Sequence, residues 1–488
     1  MYWGSGLVVA LAVSIVSLTA VYLKYVSKSA PSDSRSLFSW LFHLLQNKPL
    51  DVASRWIWED FKGESKIVDS LQSGSWGRVV ASQSAAFQIL GNNKKFPKKL
   101  IQDSLLGTLF GTTLLLSNGD TWRRHRQVLA PPFRKLPSIQ HIAVVMQEVF
   151  AAIEDEPNRK PVDVFRLMQR MSLDFFAKAL FGMDSNTVRG KDKDFLDGFN
   201  SLVYEAFDPL ELALPWVKVI RSHSRTTRAM RLASLNAFVE SMIESRVSSF
   251  PEGLANAAQR SDEDCDVLSL MFKASRDGEI GFTRSEMRDN IAQLFLPTIT
   301  TASTLTHVLH HIARDQGIQK RLRAEVRILS LASPVPTADQ INQMVLLSAV
   351  IKETMRLSPA FAQLPTRVTT EMCLIDGMEF SPGTDIVIDL FAMQRDPEYY
   401  EEPLKFDPER FMVGDDRLPW LSFGGGMRVC IGLRVALLEL KVAIAMLVSR
   451  YDIAYPPGST PLLDPALAAC QLMIPLDVDL ILTPISDY

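Results

Sequence analysis

Phe423-Gly424-Gly425-Gly426-Met427-Arg428-Val429-Cys430-Ile431-Gly432 sets one cysteine at the end of a glycine-rich turn, with an arginine two residues before it. An apolar helical pattern follows at once and runs to about Arg450. A cysteine at a helix N-terminus meets unpaired N–H groups and the positive end of the helix dipole, which favours thiolate over thiol. Glycines such as Gly432 let the backbone approach a flat cofactor and aim N–H donors at the sulfur. Phe423 has the ring to cover that sulfur, and Arg428 the guanidinium to pair with a carboxylate on the cofactor. These residue types in this order describe a thiolate ligand for haem iron. The plainer reading is a glycine-rich loop around a buried structural cysteine.

At every fixed position the stretch fits Phe-x-x-Gly-x-Arg-x-Cys-x-Gly, the ligand loop of the cytochrome P450 (haem-thiolate) family. From about residue 37 onward the chain resembles that family. The resemblance implies a mainly α fold with small β-sheets, holding haem b between a long central helix and the Cys430 loop. It also implies further site residues. Glu353-Thr354-Met355-Arg356 puts an acid and a base on one helix face, and Phe406-Asp407-Pro408-Glu409-Arg410-Phe411 adds a second arginine. In the family such parts form a structural lock, here Glu353, Arg356 and Arg410. Trp122 and Arg126, one helical turn apart, match the family's Trp-x-x-x-Arg at a haem propionate. Arg367 stands where another propionate partner is often found. With Arg428 that makes three cations for two propionates, and arginine suits bidentate pairing.

On the oxygen side the chain departs from the family's Ala/Gly-Gly-x-Asp/Glu-Thr-Thr. Leu296-Pro297-Thr298-Ile299-Thr300-Thr301 keeps the threonine pair, Thr300 and Thr301, as the catalytic candidates. The acid has become Ile299 and the glycine Pro297. Pro297 lacks an N–H, so the carbonyl of Gln293 loses its helical partner and a kink is expected. An apolar Ile299 cannot relay protons, which leaves Thr300, Thr298 and water, or the substrate itself. The plainer expectation is that Thr298, Thr300 and Thr301 bond back to helix carbonyls. His307 and His311 have zinc-compatible spacing, but no companion ligand set accompanies them.

The 488 residues, about half of them apolar, suffice for a large core. A net charge of −3 argues against nucleic acid as partner. The four cysteines, Cys265, Cys373, Cys430 and Cys470, show no CxxC spacing, which fits a reducing compartment. Leu7–Leu23 is uncharged and is followed by Lys24 and Lys28, so residues 1–28 read as a single transmembrane anchor with the body cytosolic. A cleaved secretory signal is the rival, without the usual basic start. Residues 29–36 read as a linker and 37–488 as one catalytic domain.

Asp120 is expected to cap a helix from Thr121 to Pro131, and Thr283 with Glu286 to open a very long helix reaching about Asp315. A helix over about Gln343–Leu357 and strands at Thr366–Ile375 and Thr384–Leu390 complete the pattern. Leu100–Leu116, Ala362–Leu364 and the Leu472–Met473 turn are expected to wall an apolar pocket, and Leu210–Ile220 to form a membrane-touching lid.

The resemblance implies a monooxygenase of the endoplasmic reticulum membrane acting on a lipophilic small molecule, with terpenoid- or polyketide-type secondary metabolism as the expected setting. NADPH and flavins would enter only through a separate NADPH–cytochrome P450 reductase, with cytochrome b5 as a further donor. Desaturation, rearrangement or coupling is the alternative that Ile299 raises, and a non-catalytic haem sensor is the other.

Overall fold

The computed structural model describes residues 66–485, except 73–74, 102–103, 156–159, 192, 209–221, 249–265, 277–280, 330–334, 413–419 and 462–470. The expected anchor, the linker and the Leu210–Ile220 lid therefore lie outside the described residues. No helix among the described residues is long and apolar enough to cross a membrane.

The chain opens with a hairpin, β1 (Ile67–Gln72) and β2 (Ser75–Val80), then α1 (Gln83–Gly91), α2 (Leu105–Phe110), α3 (Gly119–Leu129), α4 (Pro131–Arg134) and α5 (Ile139–Glu154). A short β3 (Val162–Asp163) leads into α6 (Val164–Phe181), α7 (Lys193–Ala206), α8 (Ser222–Ser248) and α9 (Val267–Arg276). Next come α10 (Arg284–Gln293), α11 (Leu296–Arg314), α12 (Gln316–Leu329), α13 (Ala338–Gln343) and α14 (Val345–Leu357). Four short strands follow, β4 (Arg367–Val368), β5 (Cys373–Ile375), β6 (Met378–Phe380) and β7 (Asp385–Ile388), and then α15 (Leu390–Met393). After the cysteine loop, α16 (Leu433–Arg450), β8 (Tyr451–Ala454) and β9 (Asp479–Pro484) close the chain.

Helices predominate, with a four-stranded sheet in the order β1-β2-β7-β4, a three-stranded sheet β3-β9-β8 and the β5-β6 hairpin. The stretch expected as one strand at Thr366–Ile375 is two short strands in different sheets. β4 pairs antiparallel with β7, and β5 turns back on β6. Beyond Ile388 the expected second strand ends because the Asp389 carboxylate caps α15 through the Ala392 N–H.

The core is built around α11. Every residue from Leu296 to Ala313 is buried except Pro297 and Thr300, as suits a helix whose apolar and small residues run all round it. α6 lies along α11 and buries one aromatic or aliphatic residue after another. The expected capping box at Thr283 and Glu286 is present, with Phe282 and Met287 buried in staple positions.

The helix it opens is not continuous. α10 ends at Gln293, the Leu294 N–H turns back to the carbonyls of Asn290 and Ile291, and α11 begins at Leu296. The break thus precedes Pro297, which falls in the first turn of α11, where a missing N–H costs nothing. Phe295 fills the break with its ring, 5.4–6.1 Å from Phe181, Phe195, Phe199 and Phe238 of three neighbouring helices. Asp120 does not cap α3 either. Asn118 holds the cap position, but its amide is spent on the backbone of Lys98, and Asp120 pairs with Arg123 in the first turn.

Candidate active site

The cysteine loop is shaped by two left-handed glycines, Gly424 and Gly426. At Gly426 a Cβ would come within 2.2 Å of the Leu90 carbonyl, so only glycine permits this approach to α1. The Cys430 N–H donates to the Phe423 carbonyl at 3.0 Å and closes the loop. Phe423 packs edge-on against Trp420.

Cys430 is accessible on the side where it lines a cavity and enclosed by protein on the others. Burial pushes its pKa up, while the N–H groups of Gly432 and Leu433 and the charges of Arg126 and Lys98 pull it down. The balance lies above the ordinary thiol value. A coordinated metal ion deprotonates such a thiol outright.

Four cations gather around the loop. Arg126 of α3 donates to the Val429 carbonyl at 3.2 Å. Arg428 lies with its guanidinium 4.7 Å from the Trp122 ring centre and donates to the carbonyls of Ser117, Leu114 and Leu115. Arg367 is buried and donates to Asn93 and the Phe96 carbonyl. Lys98, also buried, reaches the Leu115 carbonyl at 2.9 Å.

Burial lowers all four pKa values. The neighbouring arginines add to this for Lys98 and Arg428, and Arg428 falls to about 9 and Arg367 to about 10. None of their hydrogen bonds among the described residues goes to a carboxylate. Buried like charges without an anion are costly, and a group carrying two carboxylates would neutralise them. The donor set therefore fits haem, with Cys430 for the iron and this cluster for the propionates.

Nothing in the sequence sets Lys98 apart from Lys94, Lys95 and Lys99 beside it. Only its folding under the Gly111–Asn118 loop marks it out. Beside Cys430 a cavity of about 580 Å³ runs between α3, α4 and the loop, lined in part by Arg123, Arg126, Arg134 and Arg434.

The structure brings Glu353, Arg356 and Arg410 together. Arg356 grips Glu353 with two bonds of 2.7 and 2.8 Å, both residues fully buried, and donates to the carbonyls of Gln394, Pro403 and Lys405. Arg410 approaches Glu353 at 3.4 Å, and the Asp407 N–H donates to the same carboxylate at 2.8 Å.

On α11, Thr300 and Pro297 are the only residues before Arg314 that are not buried. The Thr300 hydroxyl donates to the Pro297 carbonyl at 3.1 Å and that of Thr298 to Phe295 at 2.7 Å, while Thr301 and Ile299 are buried. For Thr298 and Thr300 the bond back to the helix is what the structure has. Ser303, one turn on, donates to the Met473 carbonyl.

That contact joins α11 to two expected pocket walls, which are bonded to each other through Ala362 to Gln471 and Met473 to Ala360. The third wall divides: Leu100 is exposed, whereas Leu105, Leu109, Phe110 and Leu114 are core. His307 bonds the Ser303 carbonyl, His310 meets Tyr455 and His311 stacks on Phe406. No cluster able to hold a metal ion occurs among the described residues.

Residues 65–476 match the family model for cytochrome P450. The chain is 29% identical over 370 residues to probable cytochrome P450 6a23 of Drosophila melanogaster, covering 72% of this chain and 71% of that one. It is 28% identical over 367 residues to cytochrome P450 3A1 of Rattus norvegicus, covering 70% of each. Cytochrome P450 3A7 of Homo sapiens is similar at 25% identity, with 69% of each chain covered. The chain belongs to the cytochrome P450 family, and it is a haem b monooxygenase supplied with electrons by a redox partner.

Proposed function

We propose that this cytochrome P450 hydroxylates, in one or several steps, a lipophilic small molecule of terpenoid or polyketide type. The observation that carries the reading is the gathering of Arg126, Arg367, Arg428 and Lys98 around the Cys430 loop, their pKa values lowered by burial and none of their hydrogen bonds among the described residues going to a carboxylate. Haem bound here supplies dioxygen activation, and a thiolate ligand favours O–O cleavage.

The protein's own residues do the rest. Cys430 ligates the iron, Gly432 directs its N–H at the sulfur, and Phe423 closes the loop through its carbonyl. Trp122, Arg126, Arg367 and Arg428 hold the propionates. Glu353, Arg356 and Arg410 lock the segment beneath. Thr300 offers a hydroxyl that donates to the Pro297 carbonyl and whose oxygen lone pairs are free to accept a hydrogen bond from a water that carries the proton, and Thr301 backs it from the buried face. The walls at Ala362–Leu364 and Leu472–Met473, tied to α11 through Ser303, present an apolar lining that selects a lipophilic substrate.

Electrons come from NADPH–cytochrome P450 reductase, with cytochrome b5 as a second donor, docking where Arg123, Arg134 and Arg434 rim the cavity beside Cys430. Residues 1–28 anchor the chain in the endoplasmic reticulum membrane with residues 37–488 in the cytosol.

The test is coupling. In Thr300→Ala, NADPH and O2 should still be consumed while product per NADPH falls roughly tenfold or more. Unchanged coupling would remove Thr300 from proton delivery. A second reading rests on buried Ile299 in place of the acid: desaturation, rearrangement or coupling. A product that gains no oxygen atom while NADPH and O2 are used would select it.

A further inference from the structure

Between α2 and α3 the chain passes Gly111–Asn118, and three hydrogen bonds to the last turn of α10 hold this loop. The Thr112 N–H donates to Asp289 at 2.8 Å, the Leu114 N–H to Asn290 at 3.0 Å, and the Leu115 N–H to Gln293 at 3.1 Å. The approach is close. Gly111 has φ +52°, and a Cβ there would stand 2.1 Å from the Asp289 carboxylate. Asn290 is itself held by the Glu286 carbonyl at 2.8 Å.

The Leu115 N–H and the Leu114 carbonyl belong to one peptide, held by Gln293 on its N–H side and by Arg428 on its carbonyl side, and the next carbonyl along the chain also faces the cations. The Leu114 carbonyl accepts from Arg428 at 3.2 Å, and the Leu115 carbonyl from Arg428 at 3.3 Å and from Lys98 at 2.9 Å. A peptide whose N–H is bound becomes a better acceptor at its carbonyl, because the bonds polarise one another in a low-dielectric interior. Arg428 and Lys98 have long flexible side chains, each with substantial rotamer entropy. Their charges are useful to a propionate only when those rotamers are fixed.

We propose that Asn290 and Gln293 are positioning residues for the haem edge: by fixing the Leu114–Leu115 peptides they set where Arg428 and Lys98 present their charge. This rests on the haem reading of the Cys430 site. Gln293 is the last residue of α10, immediately before the break that leads into the oxygen-side helix. One side chain thus ties the end of α10 to the arginine two residues from Cys430.

The experiment uses the full chain loaded with haem, with three readouts: haem transfer to excess apomyoglobin, the ferric–ferrous midpoint potential, and thermal unfolding. Gln293→Leu removes the acceptor at similar size. Gln293→Asn withdraws it by one methylene and serves if the leucine variant does not fold. Gln293→Glu keeps an acceptor. Haem release should accelerate roughly 2- to 10-fold in the leucine or asparagine variant, the worth of one hydrogen bond. Their midpoint potential should shift as well, and Gln293→Glu should return both towards wild type. A lower unfolding temperature with wild-type haem release and potential would overturn the proposal. So would failure of Gln293→Glu to rescue. A thiolate-type spectrum in the wild-type protein keeps these outcomes separate from failure of the haem reading.

Discussion

Glu439 shows how far a single side chain escapes sequence reading. In Leu437-Leu438-Glu439-Leu440-Lys441 it looks like a surface charge on an amphipathic helix, yet on α16 it has no exposed area. Ser172 of α6 donates to one carboxyl oxygen at 2.6 Å, and the other oxygen has no hydrogen-bond partner among the described residues. Burial, opposed by the Ser172 bond, pushes its pKa to about 8 from an ordinary 4.5. The folded state therefore binds this proton more tightly than the unfolded chain. Its contribution to stability is complete below the unfolded value and is lost as pH rises through about 8. Thermal unfolding followed from mildly acidic to mildly alkaline pH should show a falling Tm in the wild type. Glu439→Gln should flatten that slope and be the more stable protein at the alkaline end. Parallel curves would mean that Glu439 does not titrate there.

Among the elements, α14 and the turn at Pro408–Phe411 carry the lock. Glu353 and Arg356 sit three apart on one helix, a pattern visible in the sequence but not distinguishable there from a solvated pair. What distinguishes them is burial, and that depends on the carbonyls of Gln394, Pro403 and Lys405, far along the chain. Removing one partner leaves a buried charge unpaired, which costs about 3–5 kcal/mol. Glu353→Gln and Arg356→Leu should yield chain with little bound haem and a depressed Tm, whereas Arg410→Ala, at 3.4 Å from the carboxylate, should do less. Full haem content in Glu353→Gln would contradict a structural role. The oxygen-side helix was legible in a similar, partial way. Pro297 announced an interruption, and the capping box at Thr283 fixed the start of the preceding helix, α10. The break itself fell earlier, at Leu294–Phe295, because the proline is accommodated in a first turn and the phenylalanine finds its four aromatic neighbours only in the folded chain.

For the whole molecule, the cysteine loop was legible by itself, residues far apart such as Trp122, Arg126, Arg367 and Arg410 only through the resemblance to the family, and those outside any motif not at all. The Cys430 loop carries its own glycines, its arginine and its helix within ten residues or so. Lys98, Asn290 and Gln293 acquire their part only when the Gly111–Asn118 loop is pressed between α10 and Arg428. The small sheets were misread for the same reason, since two-residue strands such as β4 are specified by their partners more than by their own pattern. The chemistry of the whole molecule depends on Cys430 ligating haem through sulfur. The most direct measurement is the absorption spectrum of the reduced, carbon-monoxide-bound protein, beside that of Cys430→Ala. A Soret band at the position of thiolate-ligated haem, lost in the variant, is the predicted result. A band typical of histidine ligation, or one unchanged in Cys430→Ala, would contradict the account.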